Sequence, residues 1–239
     1  MKKRIDIYRN TNQYVNDAID RIIVGIHLKK QKGGYKMIMF SGCEPGVGTT
    51  TISISLAISM ANTGWKTILI DGDLRKMAKY KRLNLGAETG LSEFLSNKCS
   101  YDEIIYDTNH DNLSYISSGR GASNPVSLLC SARMEELIEK LNEGYDYIVI
   151  DMPSVTTSID ANVLANKVDG IILVSAYAKT DKTSIRESKD ILTSSGGNIM
   201  GIILNKMEAS TYGNILKNFD YYKNQRYVSK RTRSKAKYS

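Results

Sequence analysis

Residues Met37 to Ala61 constrain the fold more than any other stretch of the chain. An apolar run, Met37-Ile38-Met39-Phe40, stops at Ser41-Gly42; a Pro45-Gly46-Val47-Gly48 turn follows and opens onto Thr49-Thr50-Thr51 and the apolar-rich segment Ile52 to Ala61. That order is strand, glycine loop, helix. In the phosphate-binding pattern G-x-x-x-x-G-K-[ST], the glycines let consecutive backbone N–H groups point at phosphate oxygens, the Lys neutralises the β/γ charge and the hydroxyl ligates magnesium. Gly46, Gly48 and Thr50 stand where the pattern wants them, but Cys43 replaces its first Gly and Thr49 replaces its Lys. As a literal motif the segment fails.

Two further apolar runs end in acid. Thr67-Ile68-Leu69-Ile70 leads into Asp71-Gly72-Asp73-Leu74-Arg75, which places two carboxylates and a guanidinium at the mouth of a strand. Tyr147-Ile148-Val149-Ile150 leads into Asp151-Met152-Pro153, the Walker B arrangement in which a carboxylate holds Mg²⁺ directly or through water. An Asp after an apolar strand is commonly a cap or turn residue. The three segments in this order point to one hydrated cation.

With these residues in view, the chain resembles the bacterial tyrosine kinases of capsule and exopolysaccharide export, the cytoplasmic partners of polysaccharide co-polymerases. That family carries a Walker A loop, an acidic motif of the form apolar-run-D-x-D-x-R, and a Walker B motif. Asp71, Asp73 and Arg75 match the second, and Asp151 and Pro153 the third. Gly90-Leu91-Ser92-Glu93-Phe94-Leu95, Ser118-Gly119, Asn124-Pro125-Val126-Ser127-Leu128-Leu129 and Arg133-Met134-Glu135-Glu136-Leu137 resemble its middle region, so the likeness runs from Met37 to Met207.

Two departures stand out. A short neutral hydroxyl at Thr49 cannot neutralise the β/γ oxygens, and losing one preorganised charge donor costs about 10²- to 10³-fold in rate, roughly 3–4 kcal/mol. Near the N-terminus the family has a helix patterned E-x-x-R-x-x-R that packs on a neighbouring subunit. Here the aligned residues are Asp17, Asp20 and Ile23, which puts ring assembly by that route in doubt.

The resemblance implies protein-tyrosine kinase activity with ATP and Mg²⁺. It implies a phosphate cradle from the backbone of Gly46, Val47, Gly48, Thr49, Thr50 and Thr51, and a metal site formed by Thr50, Asp73 and Asp151. Asp71 would accept or orient the tyrosine hydroxyl's proton. Arg75 would stabilise the departing phosphate or orient an acidic neighbour, and Asn205, at the end of the last strand, would contact the adenine. The implied partners are a transmembrane co-polymerase that acts as activator, further copies of the chain acting in trans, and a cognate tyrosine phosphatase. Two alternatives remain: a catalytically impaired nucleotide-binding scaffold that regulates the co-polymerase, and a partitioning-type P-loop ATPase. The acidic motif and the tail tyrosines argue against the latter.

At 239 residues, 41% hydrophobic and 24% charged, the chain suits one well-buried α/β domain with appendages. Cys43, Cys99 and Cys130 are widely spaced without a C-x-x-C, which disfavours a disulfide framework or zinc site and fits a reducing compartment. His27 and His110 stand alone. No stretch approaches the ~18 consecutive apolar residues of a membrane span, and the start lacks an apolar signal region. The expectation is a cytoplasmic protein, peripheral to the inner face of the plasma membrane through its partner.

Charge is concentrated at the other end. Between Leu216 and Ser239 lie eight basic residues and one acid, +7 of the chain's +8. Such a block self-repels and is expected to be disordered. In and just before it stand Tyr212, Tyr221, Tyr222, Tyr227 and Tyr238. Basic residues interleaved with tyrosines can track single-stranded nucleic acid, or simply solubilise, but nothing else in the chain suggests nucleic acid and none is expected as partner. The family resemblance makes them phosphorylation sites, each phosphate adding about −1.5 to −2 charge.

Continuous apolar runs at Met37–Phe40, Thr67–Ile70, Tyr147–Ile150, Gly170–Val174 and Gly201–Leu204, with Leu113–Ile116 as a sixth candidate, alternate with helical stretches near Thr50–Asn62, Leu91–Ser96, Ala132–Glu143, Ile159–Asn166 and Lys182–Ser194, the last ending at Gly196-Gly197. This predicts an α/β fold, a doubly wound parallel sheet of P-loop NTPase type with ligands at the carboxyl ends of its strands. An N-terminal helix over Tyr8–Leu28 carries Ala18, Ile19, Ile22, Ile23 and Ile26 on one face, and Lys29 to Gly34 form a connector. The expected domains are 1–36, the helical segment and connector; 37–208, the nucleotide-binding kinase domain; and 209–239, the basic tyrosine-rich tail.

Overall fold

In the computed structural model, residues 4–8, 12–75, 89–208 and 210–211 are described. The chain divides into two units, Met1–Asn205 and Lys206–Ser239. Tyr212, Tyr221, Tyr222, Tyr227 and Tyr238 lie outside the described residues, as does the expectation of a disordered tail.

The first unit is built on an eight-stranded sheet. Its strands are β1 (Arg4–Ile5), β2 (Met37–Gly42), β3 (Thr67–Asp71), β4 (Tyr106–Thr108), β5 (Leu113–Ile116), β6 (Tyr147–Met152), β7 (Gly170–Ala176) and β8 (Ile199–Asn205), in the spatial order β1-β4-β5-β3-β6-β2-β7-β8. The six strands read from the sequence all form and pair in parallel with one another. The sheet is parallel over this span, but β4 runs antiparallel to β5 and pairs in parallel with β1. Both are short and partly polar, so they lack the apolar run that marks a strand buried on both faces.

Residues of β2, β3, β6 and β7 are buried throughout, which is why these strands read as unbroken apolar runs. Met39, Ile70, Ile150 and Leu173 face one way, into a cluster with Phe94, Leu137, Leu164 and Leu192. These come from α3 (Leu91–Leu95), α6 (Ala132–Gly144), α7 (Asp160–Leu164) and α8 (Lys182–Ser194). Two shorter helices, α4 (Tyr101–Ile104) and α5 (Pro125–Leu129), complete that side of the chain's course. Ile38, Phe40, Leu69, Val149 and Val174 face the other way, onto α1 (Gln13–Gly33) and α2 (Thr49–Asn62) through Ile19, Ile23, Ile26, Leu56 and Met60. The helix α8 stops as expected: Gly196, at φ 81°, donates to Thr193 O and Gly197 to Leu192 O, the paired bonds of a Schellman ending.

The N-terminal helix differs from its expectation. It begins after Asn12, whose side chain accepts from the Tyr14 N–H, and it continues through the segment read as a connector. Lys30 and Lys32 sit in its last turn, where cations suit the negative end of the helix dipole, and Gly34 closes it at φ 74°. A basic run ahead of two glycines therefore marks the helix terminus.

At the amino ends of the strands, aromatic packing fastens α1 to the sheet. The His27 ring stacks on Trp65 with centroids 4.7 Å apart, Trp65 tilts against Tyr147 at 5.0 Å, and His27 Nδ1 lies 2.9 Å from the Tyr147 hydroxyl. The Lys30 ammonium sits 4.2 Å above the Tyr147 ring and donates to Asp146 O. No helix among the described residues is long and apolar enough to cross a membrane.

Candidate active site

The loop after β2 is held at its start by three bonds, one to β7 and two from the turn that follows β6. The Cys43 N–H donates to Val174 O of β7, the Val155 N–H donates to Gly42 O, and the Thr156 hydroxyl donates to Cys43 O. Cys43 is fully buried and its φ is not among the positive ones, so a residue with a side chain occupies the motif's first glycine position without backbone strain. Burial pushes its thiol up from the usual range. Further along, Gly48 adopts φ 95°, and a Cβ there would lie 2.4 Å from Asn205 Nδ2. That amide donates to Val47 O at 2.8 Å, so the end of β8 pins the loop.

The helix α2 then starts at Thr49 with no side-chain cap and no acid in its first turn. Its first ladder bond is Ile52 N–H to Gly48 O, which leaves the amides of Thr49, Thr50 and Thr51 ahead of the ladder at the positive end of the dipole. Thr50 and Thr51 are exposed. Thr49 folds back on the loop's start: a Cβ on Gly42 would be 2.9 Å from its Oγ1. Its short side chain stays inside the loop, whereas a Lys would extend beyond it.

The two acidic strand ends meet. Asp71 and Asp151 are register partners across β3 and β6, each 7% exposed, and Asp151 also pairs across β2 with Phe40. Ser53, one turn into α2, shares its hydroxyl between Thr49 O at 3.0 Å and Asp151 Oδ1 at 3.3 Å. The Walker B carboxylate is thereby tied to the helix that follows the phosphate loop. The Gly72 N–H donates to Asp151 O, the Asp73 N–H to Asp71 Oδ1 at 3.1 Å, and the Arg75 N–H to Asp73 Oδ1 at 3.2 Å. Arg75 grips Asp160 with two bonds of 2.8 Å, and this pairing raises its guanidinium above the ordinary range.

The residues singled out from Gly46 to Thr51, together with Asp71, Asp73, Arg75, Asp151 and Asn205, therefore lie along one end of the sheet. Ser53, Thr156 and Asp160 are additions. Asp160 opens α7 in the style of an ordinary helix-start acid, and nothing local in the sequence reveals its partner more than eighty positions away.

The donor set suits magnesium bound with a nucleotide. Among the described residues no three His, Cys, Asp or Glu side chains form a cage sufficient for a cation by themselves. Mg²⁺ commonly takes one or two carboxylates and completes its shell with water and substrate phosphates. A hydroxyl at the head of α2, two neighbouring acidic strand ends and a cradle that side chains at Gly42 and Gly48 would crowd supply that kind of site.

Strand, glycine loop and helix with an acidic neighbouring strand define a P-loop nucleotide-binding architecture. A family model described as an AAA domain matches residues 35–185. The tyrosine-protein kinase CpsD of Streptococcus pneumoniae serotype 4 is 35% identical over 210 residues, covering 87% of this chain and 90% of the relative. Among solved structures, the chimerical protein CapA2B2 superposes with TM-score 0.77 at 26% identity, covering 87% of this chain and 94% of that one. The kinase domain of the Escherichia coli tyrosine kinase ETK gives 0.76 at 27% identity, covering 83% and 82%. The chain belongs to the bacterial tyrosine kinase family of capsule and exopolysaccharide biosynthesis.

Proposed function

We propose that the chain is a protein-tyrosine kinase that transfers the γ-phosphate of ATP to tyrosines of its own C-terminal cluster, Tyr212, Tyr221, Tyr222, Tyr227 and Tyr238, and so regulates capsular or exopolysaccharide synthesis and export. The observation that carries the reading is the meeting of Asp71 and Asp151, in register on adjacent strands, with Asp151 bonded to the helix that follows the phosphate loop. In the reaction the tyrosine oxygen bonds to the γ-phosphorus, the bond to the bridging β–γ oxygen breaks, and ADP leaves. Asp71 takes or orients the hydroxyl proton.

The backbone from Gly46 to Thr51 cradles the phosphates. Thr50, Asp73 and Asp151 hold Mg²⁺, which when bound supplies charge neutralisation on the phosphate oxygens. Asn205 holds the loop by its amide and stands by the adenine. Arg75, gripped by Asp160, orients the acidic loop. The partners are a transmembrane co-polymerase that activates the kinase, other copies of the chain that phosphorylate in trans, and a cognate phosphatase; the protein works in the cytoplasm against the inner membrane face.

A second reading, a nucleotide-binding scaffold with little catalysis, draws on two observations. Thr49 lacks the charge of a Walker A lysine. In α1, Ile23 is buried and the exposed Asp20 carries the opposite sign to the family's arginine, so neither position offers the positive charge that the pattern directs at a neighbouring subunit. Incubation with labelled ATP and Mg²⁺, with and without the cytoplasmic tail of a co-polymerase, separates the two. Thr49→Lys is expected to raise tyrosine phosphorylation by about 10²- to 10³-fold. Labelling restored from nothing would favour the scaffold for the chain as it stands, and absence of nucleotide binding in both forms would overturn both readings.

A further inference from the structure

We propose that Asp160 is a positioning residue for the Mg²⁺–nucleotide site: through Arg75 it sets the geometry of the Asp71-Gly72-Asp73 loop, and the turn that carries it couples this loop to the phosphate loop. The inference rests on the nucleotide reading above and adds a residue that neither motif contains.

Asp160 is 0% exposed, whereas the Arg75 side chain keeps 45% of its surface open. A carboxylate removed from water is costly unless paired, and a buried ion pair generally adds little net stability over apolar packing. What a forked pair supplies is orientation, because the planar guanidinium meets both carboxylate oxygens in one plane. Asp160 uses Oδ2 for Nε and Oδ1 for Nη2, both at 2.8 Å. Neither oxygen serves as the helix cap, the N-cap position of α7 belonging to Ile159.

From Arg75 the bonds run on without a gap. The Arg75 backbone N–H donates to Asp73 Oδ1, and the Asp73 N–H donates to Asp71 Oδ1, so the residue whose side chain Asp160 anchors also closes the turn that carries both acids. In the other direction the turn between β6 and α7 is stitched to the phosphate loop. The Ser41 hydroxyl donates to Pro153 O, the Val155 N–H to Gly42 O, and the Thr156 hydroxyl to Cys43 O. One short turn therefore touches the start of the phosphate loop and, through Asp160, the acidic motif.

The test measures equilibrium binding of N-methylanthraniloyl-ATP to the full chain in excess Mg²⁺ and in EDTA, for wild type, Asp160→Asn and Arg75→Lys. Wild type binds more tightly with Mg²⁺. Asp160→Asn, which keeps the volume and one acceptor but loses the charge, is expected to lose about tenfold of that gain, with affinity in EDTA unchanged. Arg75→Lys, which keeps charge and loses the fork, shifts the same way by less. An undiminished Mg²⁺ gain in both variants overturns the inference. Equal weakening with and without Mg²⁺, accompanied by a lower Tm, also overturns it, since that is general loosening. A wild type that binds nucleotide under neither condition removes the nucleotide reading and this inference together. If Asp160→Asn fails to fold, Arg75→Lys carries the same outcomes.

Discussion

Tyr147 and Asp151 belong to the same strand, both buried, yet their surroundings differ in kind. At the foot of β6, Tyr147 is enclosed by Trp65, His27 and Lys30 in contacts of ring on ring and cation on ring, which clamp α1 to the sheet. At its head, Asp151 stands beside a second buried carboxylate, with glycine backbone and a bare helix terminus close by. The foot satisfies every rule for a stable interior. The head gathers like charges and helix-start amides that lie ahead of the ladder, an arrangement suited to a ligand of the right charge. The clamp on α1 and the candidate site thus occupy opposite ends of one sheet.

The sharpest way to break this contrast is at the head. Asp151→Asn is expected to lower tyrosine autophosphorylation by about 10²- to 10³-fold, roughly 3–4 kcal/mol of transition-state stabilisation, while the thermal unfolding midpoint stays in place. Radiolabel incorporation and a melting curve on the same preparation check both halves; a large fall in Tm with modest loss of activity would mean that the head is structural after all.

Substitution at the foot should do the reverse. Trp65→Ala removes the plate between His27 and Tyr147 and is expected to cost about 2–3 kcal/mol in denaturant unfolding, less than a fully buried Trp because Trp65 is only half-buried. Nucleotide affinity, measured by fluorescence titration, should not change. The contrast fails if it does.

The smallest effect is a pH dependence that belongs to the foot. Burial, with Asp146 adding to it, pushes the Tyr147 phenol up to about 12, and burial does the same at Tyr101. The unfolded chain then releases these protons at lower pH than the folded one does. Stability is accordingly retained below pH ~10 and falls as pH rises toward 12. Urea midpoints collected across that range should show the decline, with a shallower slope in Tyr147→Phe.

The strands that read most clearly are those buried on both faces, because continuous apolar runs such as Ile148-Val149-Ile150 leave no other reading. The carboxyl-end location of the motifs followed from parallel topology, and the register that sets Asp71 beside Asp151 agrees with it. What escaped depends on tertiary partners. Tyr106–Thr108 gains strand form only by lying between β5 and β1. Lys29 to Gly33 read as polar connector because their helicity is a continuation of a helix whose apolar face lies earlier. Asp160 and Ser53 are common residue types in common helical positions, and their roles come from bonds spanning 85 and 98 positions of sequence.

The burial of Cys43 carries a practical consequence. Its thiol is enclosed and held in the protonated form, Cys99 is half-buried with its acidity likewise reduced, and Cys130 is exposed. An electrophile in solvent therefore reaches a sulfur chiefly at the open site. The native chain therefore offers a ready handle for a single dye on α5's far end, leaving the sulfur at the heart of the nucleotide loop untouched and the loop's own behaviour available to be watched.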